Sequence, residues 1–217
     1  MKKTRMIIDI AMTLILPLLM AYSLIGELFH EVIGIIMMIL FVLHHILNLN
    51  WYKNLFKGKY TFNRTIRTFI VLLLTILMIM QPLSGILISK HLFTFIQING
   101  SALFRQIHLL GGYWSFVLMS LHAGTHLNVP LTKLKYQNER IYKTVVALLS
   151  IISFYGIFAF YKRGFTEYLF LKTFFVFNDL SEPLSFFLFD YIAVIATFMW
   201  VGYLIIKERN NSRSCIP

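Results

Sequence analysis

The stretch HEVIGIIMMILFVLHHILNL, residues 30–49, is apolar almost throughout and carries histidine near both ends. A second stretch, HLLGGYWSFVLMSLHAGTH at 108–126, repeats its spacing: His30-x3-Gly34-x9-His44 against His108-x3-Gly112-x9-His122. About 20 predominantly apolar residues suffice for a helix to cross a bilayer. Backbone groups in lipid must be paired internally, so such runs read as helices. A step of 14 residues advances a helix by about 21 Å and returns the side chain to within about 40° of the same face. Each stretch therefore presents one imidazole near either end of one helix face.

The rest of the chain has the same character. Of its 217 residues, 58% are hydrophobic and 13% charged, and the mean hydropathy is +0.73. A soluble domain carries about twice that charged fraction. Six apolar spans can be read, at Met6–Ile25, His30–Leu49, Ile66–Leu87, Ser101–His126, Ile141–Tyr161 and Leu184–Ile206. The expected fold is all-α: a polytopic membrane helical bundle of about six transmembrane helices, one domain over residues 1–217, with a cytochrome b-like two-haem core on helices 30–49 and 101–126. The first span has a signal-peptide-like start in Lys2, Lys3 and Arg5, and a cleavage-like Ala21-x-Ser23. Its apolar run continues past Ser23 and Asp9 interrupts it, so it reads as a retained anchor. Residues 163–183, aromatic with scattered charge, read as an interfacial or re-entrant segment on the outer face. Ser181, Glu182 and Pro183 read as the start of the last helix.

The net charge of +11 does not mark a nucleic-acid partner, because the cations sit in short segments between apolar runs and form no basic stripe. Their distribution instead orients the chain. With both termini in the cytoplasm, the inner segments hold 15 of the 20 lysines and arginines, and the outer ones only Lys90, Arg105, Lys162, Arg163 and Lys172. The expected location is a bacterial cell membrane. The single cysteine, Cys215, excludes a disulfide framework and a covalently attached c-type haem.

Six of the seven histidines lie in the second and fourth spans, and His91 in an outer loop. Both spans run in the same direction, which puts His30 level with His108 and His44 level with His122. Each pair would clamp one flat macrocycle, giving two non-covalent b-type haems with His30, His44, His108 and His122 as axial ligands. A lone histidine in such a helix is often only an interhelical contact. Two matched sets on parallel helices argue against that, since buried imidazoles without partners are costly. His45, about 60° off the His30 face, and His126, five turns from His108, remain alternatives to their neighbours or partners for a propionate. Gly34 and Gly112, one turn beyond the outer ligands, would let a haem edge approach the backbone. Arg105 is a candidate for an outer propionate, Glu31 for bonding an imidazole or accepting a quinol proton. Asp9 would snorkel to the inner face. Phe29, Tyr113, Trp114 and Phe116 would pack on a macrocycle or simply on neighbouring helices, and the ten methionines show no ligand-like spacing.

The runs HEVIGIIMMILFVLHHILNLNWYKNLFKGKY (30–60), RQIHLLGGYWSFVLMSLHAGTHLN (105–128) and EYLFLKTFFVFNDLSEPLSFFLFDYIAV (167–194) resemble the flavinylation-associated cytochrome family of bacterial membrane proteins. The resemblance implies a membrane b-type cytochrome working beside proteins that carry covalently bound flavin. Electrons would pass from a membrane quinol such as menaquinol, or from a membrane dehydrogenase, to a flavinylated extracytosolic electron-transfer protein. By position it carries over to His30, His44, His108, His122 and His126, and the doublet His44–His45 leaves the inner ligand on the second helix open. Two other classes compete. A metal-ion carrier or sensor would use His122-x3-His126. A haem-free scaffold would offer the basic loop Asn50–Arg67 to a cytoplasmic partner or to anionic lipid.

Overall fold

The computed structural model describes residues 2–96, 101–177 and 179–213, with Cys215 outside them. Ten helices follow in order: α1 (Lys2–Met20), α2 (Tyr22–Ile25), α3 (Glu27–Leu47), α4 (Leu49–Lys53), α5 (Phe62–Ile88), α6 (Ser101–His126), α7 (Asn128–Gln137), α8 (Glu139–Lys162), α9 (Phe165–Leu169) and α10 (Leu184–Arg213). The described residues contain no strand. Each of the six apolar spans corresponds to one long helix, with ends that shift by a few residues. Helices α3, α5, α8 and α10 are long and apolar enough to cross a membrane. The other two fall short for visible reasons: α1 carries Lys3, Arg5 and Asp9, and α6 carries Arg105, Gln106 and three histidines.

Polar side chains set several helix ends. Thr61 accepts the Arg64 N–H at the start of α5, and Asn138 accepts the Ile141 N–H at the start of α8. Gly26, at φ +88°, makes the turn from α2 into α3 in a region that disfavours side chains. The carboxylate of Glu31 on α3 accepts the Ser89 hydroxyl and the N–H groups of Lys90, His91 and Leu92, at 2.8–3.3 Å. It thus ties the loop after α5 to α3. Among the described residues no imidazole is hydrogen-bonded to it.

The core is densest where α6, α8 and α10 meet, and small residues allow it. A Cβ on Gly156 of α8 would stand 2.1 Å from the Ala193 carbonyl oxygen and 2.2 Å from Thr197 Oγ1. Gly124 of α6 and Gly202 of α10 are likewise pressed on the carbonyls of Met199 and Leu121. Such close approach is how membrane helices gain dispersion contacts where no hydrophobic force drives them together. Beside this block α5 packs on α6, while α1 and α3 pair with each other, α3 touching α5 and α1 touching α10. Helices α3 and α6, which carry the repeated histidines, scarcely pack on one another.

The segment 163–183 folds partly into the bundle. Phe165 is fully buried among Tyr113, Phe116, Phe160 and Tyr191, and Tyr168 stacks on Tyr113. The Trp114 indole N–H donates to the Leu169 carbonyl at 3.0 Å. Tyr113, Trp114 and Phe116 are therefore committed to protein packing, and Phe29 is exposed. Ser181 does not begin α10. Its N–H and hydroxyl donate to Asp179, holding that carboxyl below its usual range, and the helix starts after Pro183. Between α8 and α10 lies a buried ionic knot. Asp190, 1% exposed, accepts from Tyr155, Lys162 and Arg163 at 2.6–2.8 Å. Arg163 also grips Glu182 through two bonds of 2.6 Å.

Replacing Gly156 by Ala is expected to lower stability by about 1–3 kcal/mol, as over-packing does in a close-packed interior, seen as a lower unfolding midpoint in detergent. Asp190→Ala, which takes the shared acceptor from Tyr155, Lys162 and Arg163 while Arg163 keeps Glu182, should likewise lower stability, by about 1–3 kcal/mol. Equal midpoints for Asp190→Ala and the parent would contradict the ionic knot.

Candidate functional site

The histidines of α3 and α6 meet at both ends of the seam between these helices. At one end the rings of His30 and His108 face each other with centroids 6.1 Å apart and planes at 73°. Two imidazoles bound on opposite sides of one metal, with metal–nitrogen bonds of about 2.0–2.1 Å, would have centroids roughly 6 Å apart. His108 is held from behind. Its Nδ1 lies 3.2 Å from the Gln81 carbonyl and 3.1 Å from Ser84 Oγ. A carbonyl only accepts, so Nδ1 carries the proton and Nε2 keeps its lone pair. That is the arrangement of a metal-ligating histidine with its second nitrogen fixed by the protein. Gly85 of α5 makes room for the ring: a Cβ there would come 3.3 Å from His108 Cε1. The Nδ1 of His30 is buried with no partner at hydrogen-bond distance, the Leu19 backbone facing it from farther off.

At the other end His44, His45, His122 and His126 line one cavity of about 1250 Å³ with Asp9, Arg64 and Arg67. Cofactor and drug-sized pockets run to about 300–1,000 Å³, so the space admits a large ligand. His44 Nδ1–H donates to Asp9 Oδ1 at 2.7 Å. His45 is bonded through Nδ1 to the Tyr52 hydroxyl and packs on Phe41. The Nδ1 of His122 is buried without a partner. His126 sits one turn on, its ring centroid 4.9 Å from that of His122, and is the more exposed of the two. Arg67 donates from Nη2 to the Thr125 carbonyl at 2.8 Å, while its Nε is buried and unpaired.

The residues expected to matter thus fall into two groups at the two ends of the seam, His30 with His108 at one and His44, His45, His122 and His126 at the other. The remaining candidates divide. Gly34 faces open space, whereas the space beside Gly112 is filled by the Gln81 amide, 3.0 Å from where a Cβ would stand. Arg105 is exposed one turn before His108 and makes no bond to the described residues. Among the described residues no three His, Cys, Asp or Glu side chains are grouped to hold a bare metal ion. Three site residues escaped the sequence reading. Gln81 and Ser84 carry no spacing signal. Asp9 did stand out as an acid in an apolar run, but its partner lies 35 residues away.

Imidazoles at a metal-bridging separation and helices that leave a seam between them fit a flat cofactor held between two histidines. Comparison with protein-family models, with curated proteins and with solved structures returned no match.

Proposed function

We propose that this protein is a di-haem b-type cytochrome of a bacterial cell membrane that moves electrons across the bilayer. One observation carries the reading: His30 and His108, on helices that barely touch, face each other at 6.1 Å with the His108 Nδ1–H turned away onto the Gln81 carbonyl. His30 and His108 would hold one haem, and His44 and His122 the other. A haem held between these histidines would supply a one-electron iron couple, which suits electron transfer.

The chain's own residues do the remaining work. Burial at the His108 end excludes water, and Gln81 with Ser84 fixes the imidazole's tautomer and plane. Arg67, with an unpaired buried Nε, is placed to receive a propionate in the larger cavity. Six crossing helices with both termini in the cytoplasm agree with the distribution of lysine and arginine. On that orientation the His44 end is the inner one. The partners proposed are a menaquinol-type donor or membrane dehydrogenase and a flavinylated extracytosolic acceptor, in line with the resemblance of the three runs quoted above. The metal-carrier reading lacks a third donor beside His122 and His126.

The test is a reduced-minus-oxidised visible spectrum of the detergent-purified protein with a pyridine haemochrome count. A low-spin b-type spectrum at about two haems per chain is expected, and its absence after expression with ample haem would overturn the proposal. His108→Ala should remove one haem and leave the other, His122→Ala should remove the second, and His126→Ala should retain both. Full haem content in both His30→Ala and His108→Ala would show that the facing pair is not a ligand pair.

A further inference from the structure

The two ends of the histidine seam differ in what stands behind the imidazoles. At the His30 end, His108 Nδ1–H meets only neutral acceptors, the Gln81 carbonyl and the Ser84 hydroxyl. At the other end, His44 Nδ1–H meets a carboxylate, Asp9, at 2.7 Å. His45 beside it meets the neutral Tyr52 hydroxyl. A carboxylate within an apolar run of a membrane helix is by default a functional group with a specific partner. Here the partner is a histidine of the matched repeat.

We propose that Asp9 is a positioning residue which selects His44 over His45 as the inner ligand and makes the His44 end the low-potential end of the electron path. The proposal rests on the di-haem reading. A carboxylate accepting the Nδ1–H of a ligand histidine fixes its tautomer and raises the basicity of Nε2. A more basic ligand stabilises ferric over ferrous iron, and hydrogen bonding behind the axial ligand is one of the protein's levers on haem potential. Enclosure works in the same sense, because ferric iron with its extra charge is less favoured at the tightly packed His30–His108 pair.

The cations of the larger cavity oppose this. Arg64 and Arg67 line the same space. Arg64, however, is directed at the carbonyls of Asn54 and Leu55, and Arg67, held by that of Thr125, is the group placed for a propionate, whose charge would offset its own. Both lie along the wall of a wide cavity, while Asp9 acts through a bond to the ligand itself. We therefore give the carboxylate the larger effect. The seam is then inequivalent end to end, and its potentials favour electrons resting at the His30 end.

Equilibrium potentiometry of the purified haem protein tests this, with His44→Ala identifying the wave of the inner haem. The wild type should show two one-electron waves, and His44→Ala should delete the lower. Asp9→Asn should raise that lower wave by about 59 mV or more, a tenfold change in the one-electron equilibrium, and leave the upper wave in place. Asp9→Glu, which keeps the carboxylate, should return the wave toward its original position. Should Asp9→Asn shed the inner haem, Asp9→Glu must retain it at low potential. Two waves that both stay put in Asp9→Asn would overturn the role of Asp9 alone, as would loss of the upper wave in His44→Ala or haem loss in both Asp9 variants. A wild type without haem would overturn the di-haem reading together with this one.

Discussion

A polar nitrogen buried without a partner is expensive in an apolar interior, and this bundle keeps three of them along one seam, on His30, His122 and Arg67. The rest of the architecture is arranged around that expense. Helices α3 and α6 stand far enough apart to leave the seam, and near enough for His30 to face His108. Full packing of α3 on α6 would close the seam. On the proposed reading a flat ligand fills it and takes one nitrogen of each imidazole.

Holding two helices apart requires that something else hold the bundle together. That falls to α6, α8 and α10, whose backbones approach at Gly124, Gly156 and Gly202, and to the aromatic cluster that Phe165 anchors under the outer segment. Helix α5 then serves both sides. It packs on α6 and offers Gln81, Ser84 and Gly85 to His108. The pair α1–α3 is attached more lightly, through α5 and the Glu31 carboxylate that binds the loop at 89–92. One side of the bundle thus holds His108 from α5, and the other holds His44 through Asp9.

Much of this was legible in the chain, because lipid leaves few choices. Apolar runs of bilayer length must be helices, and the matched spacing of His30, Gly34 and His44 with His108, Gly112 and His122 places the imidazoles at equal heights. What stayed hidden depends on sequence-distant contact. The Ser84–His108 bond joins residues 24 apart, and Asp9–His44 joins residues 35 apart. Glu31, read as bonding an imidazole or serving a quinol proton, also anchors a loop, through backbone N–H groups that carry no sequence signature. Gly112 resembles Gly34 by position alone, since only the fold brings Gln81 against it. The short helices α4, α7 and α9 have too few residues for a periodic signal.

The Asp190 knot bears on how the chain is assembled. A carboxylate that enters hydrocarbon by itself bears the full cost of a charge there, and α10 is the last long helix to be synthesised. Its counter-charges, Lys162 and Arg163, end the preceding long helix, with Tyr155 two turns earlier. The α8–α10 hairpin is therefore zippered by charge, each helix carrying the counter-charge the other needs.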